Sequence, residues 1–220
     1  AGLSFTHFQD AFQGWAKRAP EIDRAFEAAG HGLMADDRDP AAHWAMGRAL
    51  WLRGEHDQSV LELERAVDLS PNFALGHYTL GFVHSQLGDP RFAIDATNTS
   101  RELSPFDPLQ FAMLASRAIA HIRLGEHDAA AEWATKATSR PNAHVHILTI
   151  AVESLVLANR RDEAKRFAAK IRERVPGYDI ESFLRAFRFD PDTARQLRSA
   201  AKQIGFDGAW PMTKPKVLNG

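Results

Sequence analysis

A repeat of 34 residues is the feature of this sequence that most limits its fold. The tripeptide Leu-Ser-Pro occurs at residues 69–71 and again at 103–105, a spacing of 34. Glycines at 47 and 54 recur at 81 and 88. A chain with such a period folds as stacked copies of one supersecondary unit, because a single copy cannot bury its apolar face alone.

The period continues beyond an insertion. From Gly88 to Gly125 the spacing is 37, so three residues are added, and residues 104–108 are the expected place because their two prolines interrupt helices. Gly125 is then followed 34 residues later by Asn159. Four copies of the unit are therefore predicted over residues 40–176.

Each copy has the pattern of helix, turn and helix. In the first, Ala41–Arg53 is rich in Ala, Leu, Trp and Met, residues 54–57 form the turn, and Gln58–Leu69 places apolar residues at helical spacing. Gly54 suits a helix C-terminus and Asp57 suits an N-cap. The same pattern predicts three further helix pairs: Ala74–Leu87 with Arg91–Leu103, Leu109–Leu124 with Ala129–Thr138, and Val145–Ala158 with Glu163–Val175.

The flanking segments are predicted to cap the array. Residues 1–39 are interpreted as a partial N-terminal repeat or cap, with helices at Leu3–Trp15 and Glu21–Asp36. Residues 177–206 are interpreted as C-terminal capping helices, at Ile180–Phe187 and Asp192–Ile204. Residues 207–220 are rich in Gly and Pro without periodicity, and a loose tail is expected there.

The repeat resembles the tetratricopeptide family. That family places a small residue at the eighth position of each repeat, glycine at the fifteenth, alanine at the twentieth and proline at the thirty-second. The second repeat supplies all four, and the fourth repeat departs most, with a larger side chain at the eighth position: Gly81, Gly88, Ala93 and Pro105, against Val152. The resemblance implies an all-α, right-handed superhelix whose concave face is lined mainly by each repeat's first helix.

A second resemblance covers roughly residues 5–206. The segments Leu103–Pro108, Glu132–Ala134, Phe187–Pro191 and Ile204–Phe206 look like the C-terminal repeat region of bacterial class III adenylate and guanylate cyclases, and of related winged-helix regulators. In those families the region follows a catalytic or DNA-binding domain. The resemblance implies that this chain is the non-catalytic C-terminal part of a bacterial signalling protein.

Composition and charge exclude several classes of function. The formal net charge is −1, so no global charge favours nucleic acid or an anionic membrane. Basic side chains between Lys165 and Arg174 alternate with glutamates, as on a solvated helix. The chain has no cysteine, no apolar run long enough to span a bilayer and no signal-peptide pattern at its start. A cytoplasmic protein without nucleic-acid or membrane partners is expected.

No pattern of residues points to catalysis. The ten histidines lack the His-Glu-x-x-His spacing of a helical zinc site, and the pairs His43/His77 and His56/His127 follow from duplication of the repeat. Neither a Gly-x-Ser-x-Gly elbow nor a phosphate-binding glycine loop is present. We therefore expect no catalytic residues, no cofactor and no metal.

The candidate binding site is an aromatic groove. First-helix positions that should face it are Trp44, Arg48, Trp51, Tyr78, Phe82, Ser85, Ile119 and Arg123. Aromatic and arginine side chains are favoured anchors in interfaces, although packing between repeats is an equally good explanation for any one ring. The expected occupant is an apolar extended segment or an amphipathic helix from a protein partner or an upstream domain of the same protein.

Two rival interpretations remain open. The chain could be a freestanding scaffold or an adaptor that forms a homodimer through exposed helix faces. An enzyme built on helices is the third, and it would need a deep polar pocket with an acid–base pair. So large an apolar strip also needs a cover, for which a partner, an upstream domain, a second copy and the chain's own tail around Trp210 are candidates.

Overall fold

The protein is described by a computed structural model, which covers residues 1–208. Within those residues it consists of twelve helices and no strand, as the repeat pattern predicts. A loose tail is predicted over residues 207–220, and its residues from 209 onward, including Trp210, lie outside the described residues. The helices are α1 (Gly2–Gln13), α2 (Arg18–Ala35), α3 (Pro40–Arg53), α4 (His56–Leu69), α5 (Ala74–Gln86), α6 (Pro90–Leu103), α7 (Gln110–Arg123), α8 (His127–Thr138), α9 (Val145–Leu157), α10 (Arg161–Arg174), α11 (Ile180–Ala186) and α12 (Pro191–Lys202).

Local sequence explains where several helices begin. An Asp-Pro pair opens α3, α6 and α12, and the aspartate side chain caps the first turn each time. Asp39 accepts from the Ala41 amide at 2.9 Å, and Asp190 accepts from the Thr193 amide at 2.8 Å. Proline fits the first turn because its missing N–H has no partner there in any helix.

The turns between paired helices use left-handed backbone in the first, third and fourth repeats. Gly54 has φ 84° and Gly125 has φ 74°. Asn159, which the spacing aligns with Gly125, has φ 60°. Asparagine tolerates this conformation better than most residues, so the fourth repeat keeps the turn without glycine.

Close helix crossings explain the small residues of the repeat. A Cβ added at Gly81 would lie 2.6 Å from the Thr97 methyl and 3.1 Å from the carbonyl oxygen of Ala93. A Cβ at Gly47 would lie 2.6 Å from Cγ of Leu63. The fourth repeat buries Val152 completely at the equivalent place, so its two helices cross with room for a branched side chain.

The four helix pairs stack in chain order. Helices α3 and α4, α5 and α6, α7 and α8, and α9 and α10 pack as pairs, and the first helices α3, α5, α7 and α9 also contact one another in sequence. We call the surface formed by those four first helices the concave face. This arrangement confirms the predicted all-α solenoid of the tetratricopeptide type.

In the N-terminal helix pair, α2 matches the register of the repeats and α1 does not. Ala25 and Ala29 of α2 are buried, like Ser59 and Leu63 one period later in α4. Helix α1 departs from the repeat, because Ser4 Oγ donates to the Ala25 carbonyl over 21 residues, whereas Ser59 Oγ donates to the Gly47 carbonyl over 12. The shift lets α1 contact α3 while its far end reaches further along the concave face.

No helix within residues 1–208 combines the length and apolar character that crossing a membrane requires.

Candidate functional site: a concave aromatic face covered by the first helix and the segment after helix α11

Helix α1 lies on the concave face through three phenylalanines at helical spacing. The Phe5 ring stacks on Trp44 with centroids 5.7 Å apart, and the Phe8 ring lies 5.9 Å from Trp51. Phe12 makes edge contacts with Trp51 at 5.9 Å and with Phe82 at 6.1 Å. These side chains turn one face of α1 into an aromatic ridge that fills the groove.

The end of α1 reaches the fourth repeat. His146 Nε2 lies 3.1 Å from the carbonyl oxygen of Phe12, and Gln13 Nε2 lies 3.2 Å from His144 Nε2. Because a carbonyl only accepts, His146 Nε2 carries its proton, and Nδ1 therefore accepts from the Tyr178 hydroxyl at 2.6 Å. Helix α1 and the last repeat are joined directly through this histidine.

The other cover is the segment after α11. We call residues 187–190 the strap. Its Arg188 guanidinium donates to the carbonyls of Trp51, at 3.4 Å, and Leu52 at the C-terminal end of α3. The Arg188 amide donates to Gln86 Oε1 at 2.8 Å. A cation at a helix C-terminus is stabilised by the free carbonyls and the helix dipole, so the strap ties α3 and α5 together.

A second arginine fastens the strap from the third repeat. Arg123 Nε lies 3.3 Å from a carboxylate oxygen of Asp190, and Arg123 Nη1 donates to the His84 carbonyl at 2.9 Å. Ser85, next along α5, is fully buried and donates its hydroxyl to the Phe82 carbonyl at 2.8 Å. Arg123 and Ser85, both predicted to face a partner, thus make their hydrogen bonds within the chain.

The other predicted groove residues line the concave face beneath these covers. All are buried: Trp44, Arg48, Trp51, Tyr78, Phe82 and Ile119. The Trp44 indole N–H donates to the Thr79 hydroxyl at 2.8 Å, which fixes one ring at the first boundary between repeats. The predicted residues therefore come together, and α1 and the strap are what cover them in this chain.

Two buried ionisable groups stand out on this face because neither has an ion-pair partner among the described residues. Glu153 of α9 is fully buried, both of its carboxylate oxygens lack a hydrogen bond, and burial raises its pKa well above the usual value. Arg48 of α3 has no partner at Nε, and burial lowers its pKa to about 10. Burial therefore favours the neutral form of the acid, while the guanidinium keeps its charge at neutral pH.

The buried histidines add no charge to this region. Burial, and then the neighbouring His146, lower the pKa of His144 to about 3. Burial is also the main cause that lowers the pKa of His146 to about 4. Both rings are neutral at physiological pH, so they act as hydrogen-bonding groups.

One group of three side chains within the described part of the chain brings possible metal ligands within 4.8 Å of one another, namely His7, Asp10 and Glu21. Glu21 already has two partners, since its carboxylate oxygens lie 2.6 Å from His7 Nδ1 and 2.6 Å from Arg24 Nη1. A metal ion would have to displace these contacts. The histidine pairs considered in the sequence do not form such a group within residues 1–208.

Sequence reasoning misses the two covers. Phe5, Phe8 and Phe12 recur at the spacing of one helix face, but the pattern predicts only a partial repeat there. Phe187 is predicted as the last residue of a capping helix, and Arg188 and Phe189 carry only a resemblance in the sequence. Each cover also makes contacts between residues more than a hundred positions apart, for which a single sequence offers no direct sign.

Comparison with known proteins agrees with the repeat pattern. A family model described as "TPR repeat" matches residues 47–88, and one described as "Tetratricopeptide repeat" matches residues 113–134. This chain carries tetratricopeptide repeats. No curated protein matches it significantly in sequence.

Solved structures share the tetratricopeptide fold at low identity. TTC0263, a TPR protein of Thermus thermophilus, is 19% identical with a TM-score of 0.64, covering 90% of this chain and 98% of its own. MamA is 22% identical with a TM-score of 0.55, covering 70% and 88%. YrrB, described as a TPR protein with an unusual peptide-binding site, is 15% identical with a TM-score of 0.53, covering 80% and 92%. At these identities the likeness concerns the fold alone.

Proposed function

We propose that this chain is a non-catalytic protein-interaction module whose concave aromatic face receives an amphipathic helix. The observation that carries the proposal is the docking of α1, whose Phe5, Phe8 and Phe12 occupy the face that the repeat register marks as a binding groove. Binding of an apolar helix face in a hydrophobic groove is a common mode of peptide recognition.

The chemistry of the face defines the partner. It offers aromatic rings and few free hydrogen-bonding groups, so a partner helix would present large apolar side chains at positions i, i+3 and i+7, as α1 does. Such a partner would compete with α1. The peptide-binding site named for the similar YrrB supports peptide recognition by this fold as a general use.

The wider setting follows from the resemblance of residues 5–206 to repeat regions of bacterial cyclases and winged-helix regulators. In that setting the chain is a cytoplasmic regulatory part of a multidomain signalling protein, and release of α1 would transmit partner binding to an upstream domain. A freestanding adaptor or homodimer is the alternative. Exchange of α1 between two copies would produce a dimer with the same contacts.

The test frees the groove and then refills it. Phe8→Asp with Phe12→Asp places two carboxylates in an apolar contact, which should detach α1 while repeats remain stacked. A fluorescent peptide of residues 1–17 should then bind this variant and saturate in an anisotropy titration, whereas the parent should bind it far more weakly. Leu3→Asp is the matched control, since Leu3 lies on the same helix but is 66% exposed.

Two outcomes would contradict the proposal. One is a double variant that keeps its helical circular dichroism but does not bind the peptide. The other is equal binding of the peptide that carries the same two aspartates. If the double variant loses its helical content, Phe5→Asp is the milder test, because Phe5 lies near the start of α1 and is only partly buried.

A further inference from the structure

A narrow cleft remains between α1 and the concave face. The volume of the cleft that a water-sized sphere can reach is about 40 Å³, and the cleft is partly open to solvent, so only a small ligand fits without displacing α1. Its walls come from α1, from all four first helices and from the strap, so every part of the closed array contributes. The walls are mainly apolar, as in most small-molecule sites, and include Phe5, Phe8, Phe12, Phe82, Ile150 and Phe187.

One full positive charge lies in this wall. Arg48 is 7% exposed, and its guanidinium carbon is 3.7 Å from the centre of the Phe8 ring and 4.9 Å from that of Phe5. It forms no ion pair with any carboxylate of residues 1–208, and its Nε has no hydrogen-bond partner. Aromatic faces offset part of the cost of burying a cation, but they accept none of its hydrogen bonds.

The groups around Arg48 leave this charge uncompensated. Among residues 1–208, Tyr78 is the neighbour that acts on the guanidinium electrostatically, and burial raises the pKa of the Tyr78 phenol to about 12, so it is neutral. His144, which also lines the cleft, is neutral as well because burial lowers its pKa to about 3. The cleft is thus an apolar space with a single cation and several neutral donors.

We propose that this cleft binds a small apolar monocarboxylate, with the carboxylate on the Arg48 guanidinium and the apolar body between the phenylalanine rings. A planar guanidinium matches a carboxylate with two parallel hydrogen bonds. A phosphate dianion would bring more charge than one arginine balances, and its desolvation would be uncompensated by these walls. This inference concerns the space beside α1 and stands apart from displacement of α1 by a partner.

The hydroxyls of Tyr78 and Ser116 belong to residues that line the same cleft and can donate to the second lone pairs of the carboxylate. A site with one fixed cation differs from a groove in which several polar side chains together bind the C-terminus of a peptide. A free acid and a peptide terminus nevertheless share the carboxylate, and the experiment separates them.

Isothermal titration calorimetry on the full chain tests the assignment with phenylacetate and with its uncharged analogue phenylacetamide. We expect phenylacetate to bind at least about tenfold more tightly than the amide, because losing one partner of a desolvated charge pair is costly. Arg48→Met keeps the length and apolar packing of the side chain and should abolish this preference. Arg53→Met is the matched control on the same helix, since Arg53 stacks over Phe26 at 4.2 Å and pairs with Glu55 outside the cleft.

Equal affinity for the acid and the amide would overturn the proposal, as would undiminished phenylacetate binding by Arg48→Met, or no binding of phenylacetate at millimolar concentration. Tighter binding of an acetylated Ala-Ala-Phe peptide with a free C-terminus than of phenylacetate would also overturn it, by assigning the site to a chain end. If Arg48→Met fails to fold, chemical-shift changes of the Arg48 guanidinium in the parent on addition of phenylacetate decide, and their absence counts against the proposal.

Discussion

Arg48 near the start of the array and Glu153 near its end occupy the same place in the repeat. Their equivalents in the second and third repeats are Phe82 and Ile119, at spacings of 34, 37 and 34. Both ionisable groups are buried without an ion-pair partner among the described residues, yet the arginine lies under α1 beside an open cleft and the glutamate lies under α11 and α12 in tight packing.

The difference between the two ends lies in their surroundings. The second, smaller space, which Glu153 lines, is walled by Ile122, Phe183, Phe189 and Leu197 and leaves no room for a ligand or water. Burial therefore favours the protonated, neutral form of Glu153, whereas Arg48 keeps its proton at neutral pH and with it a positive charge. The same repeat position serves as packing at one end and as a candidate binding group at the other.

The largest expected effect comes from breaking the place where the two covers meet. Phe187 of the strap contacts Phe12 of α1 at 5.2 Å and Phe82 at 6.0 Å. Phe187→Ala should lower the free energy of unfolding by about 3–5 kcal/mol, measured by chemical denaturation. Phe106→Ala, which removes a ring that is 96% exposed, is the control and should change stability little. Similar values for the two variants would show that the strap is not a structural cover.

The ends also differ where paired helices cross, with Gly47 and Gly81 early in the array and Val152 late. Gly81→Leu should destabilise by about 1–3 kcal/mol or more, because its Cβ would meet backbone atoms of α6. At Gly30 in α2 a Cβ would have only one ordinary contact, so Gly30→Ala should be neutral or stabilise by up to about 1 kcal/mol. Melting temperatures of the two variants that both fall by a similar amount would refute this assignment of the crossing.

The protonated state of Glu153 predicts a pH dependence at one end only. Its folded pKa lies above the unfolded value of about 4.3, so the folded state holds an extra proton between the two pKa values. Below about pH 4 this group does not lower the free energy of unfolding. Above that pH the free energy of unfolding falls as pH rises, by up to about 1.4 kcal/mol per pH unit. Glu153→Gln should remove that slope, so its stability relative to the parent should increase as pH rises above about 4.3.

Glu64→Gln on the exposed side of α4 is the control for this slope and should follow the parent at every pH. His144 and His146 have lowered pKa values, so their contribution to stability decreases as pH falls. This contribution is the same in the parent and in both Gln variants, and it cancels when their stabilities are compared. A parent and Glu153→Gln variant that differ by a constant amount at every pH above about 4.3 would contradict a protonated Glu153.

The smallest expected effect concerns metal at the N-terminal end. Stoichiometric zinc, followed by chelator, should leave the melting temperature unchanged, because Glu21 is already engaged by His7 and Arg24. A rise in melting temperature that chelator reverses, and that His7→Ala abolishes, would instead establish a metal site formed with Asp10.

The repeats could be predicted because their signal is local. Spacing placed the helix pairs, and Gly47 and Gly81 marked close crossings that the structure contains. The concave position of Trp44 and Phe82 followed from the register. The covers could not be predicted in the same way. Helix α1 does not follow the repeat register, and Arg188 donates to backbone carbonyls of α3, which no side-chain pattern marks as its partners. The pairing of His146 with Phe12 depends on the curvature of the whole array, which no residue pattern encodes alone.

Closure of the array changes how the molecule should fold. In an open solenoid each repeat contacts only its neighbours, so terminal repeats can unfold one at a time. Here Phe12 is bonded to His146 over 134 residues and Leu52 to Arg188 over 136. Contacts between residues so far apart in sequence form late in folding, because closing the long loop costs chain entropy before the contacts stabilise the fold. Helix α1 and the strap therefore connect the two ends of the array, and neither end can unfold without breaking its contacts with the other.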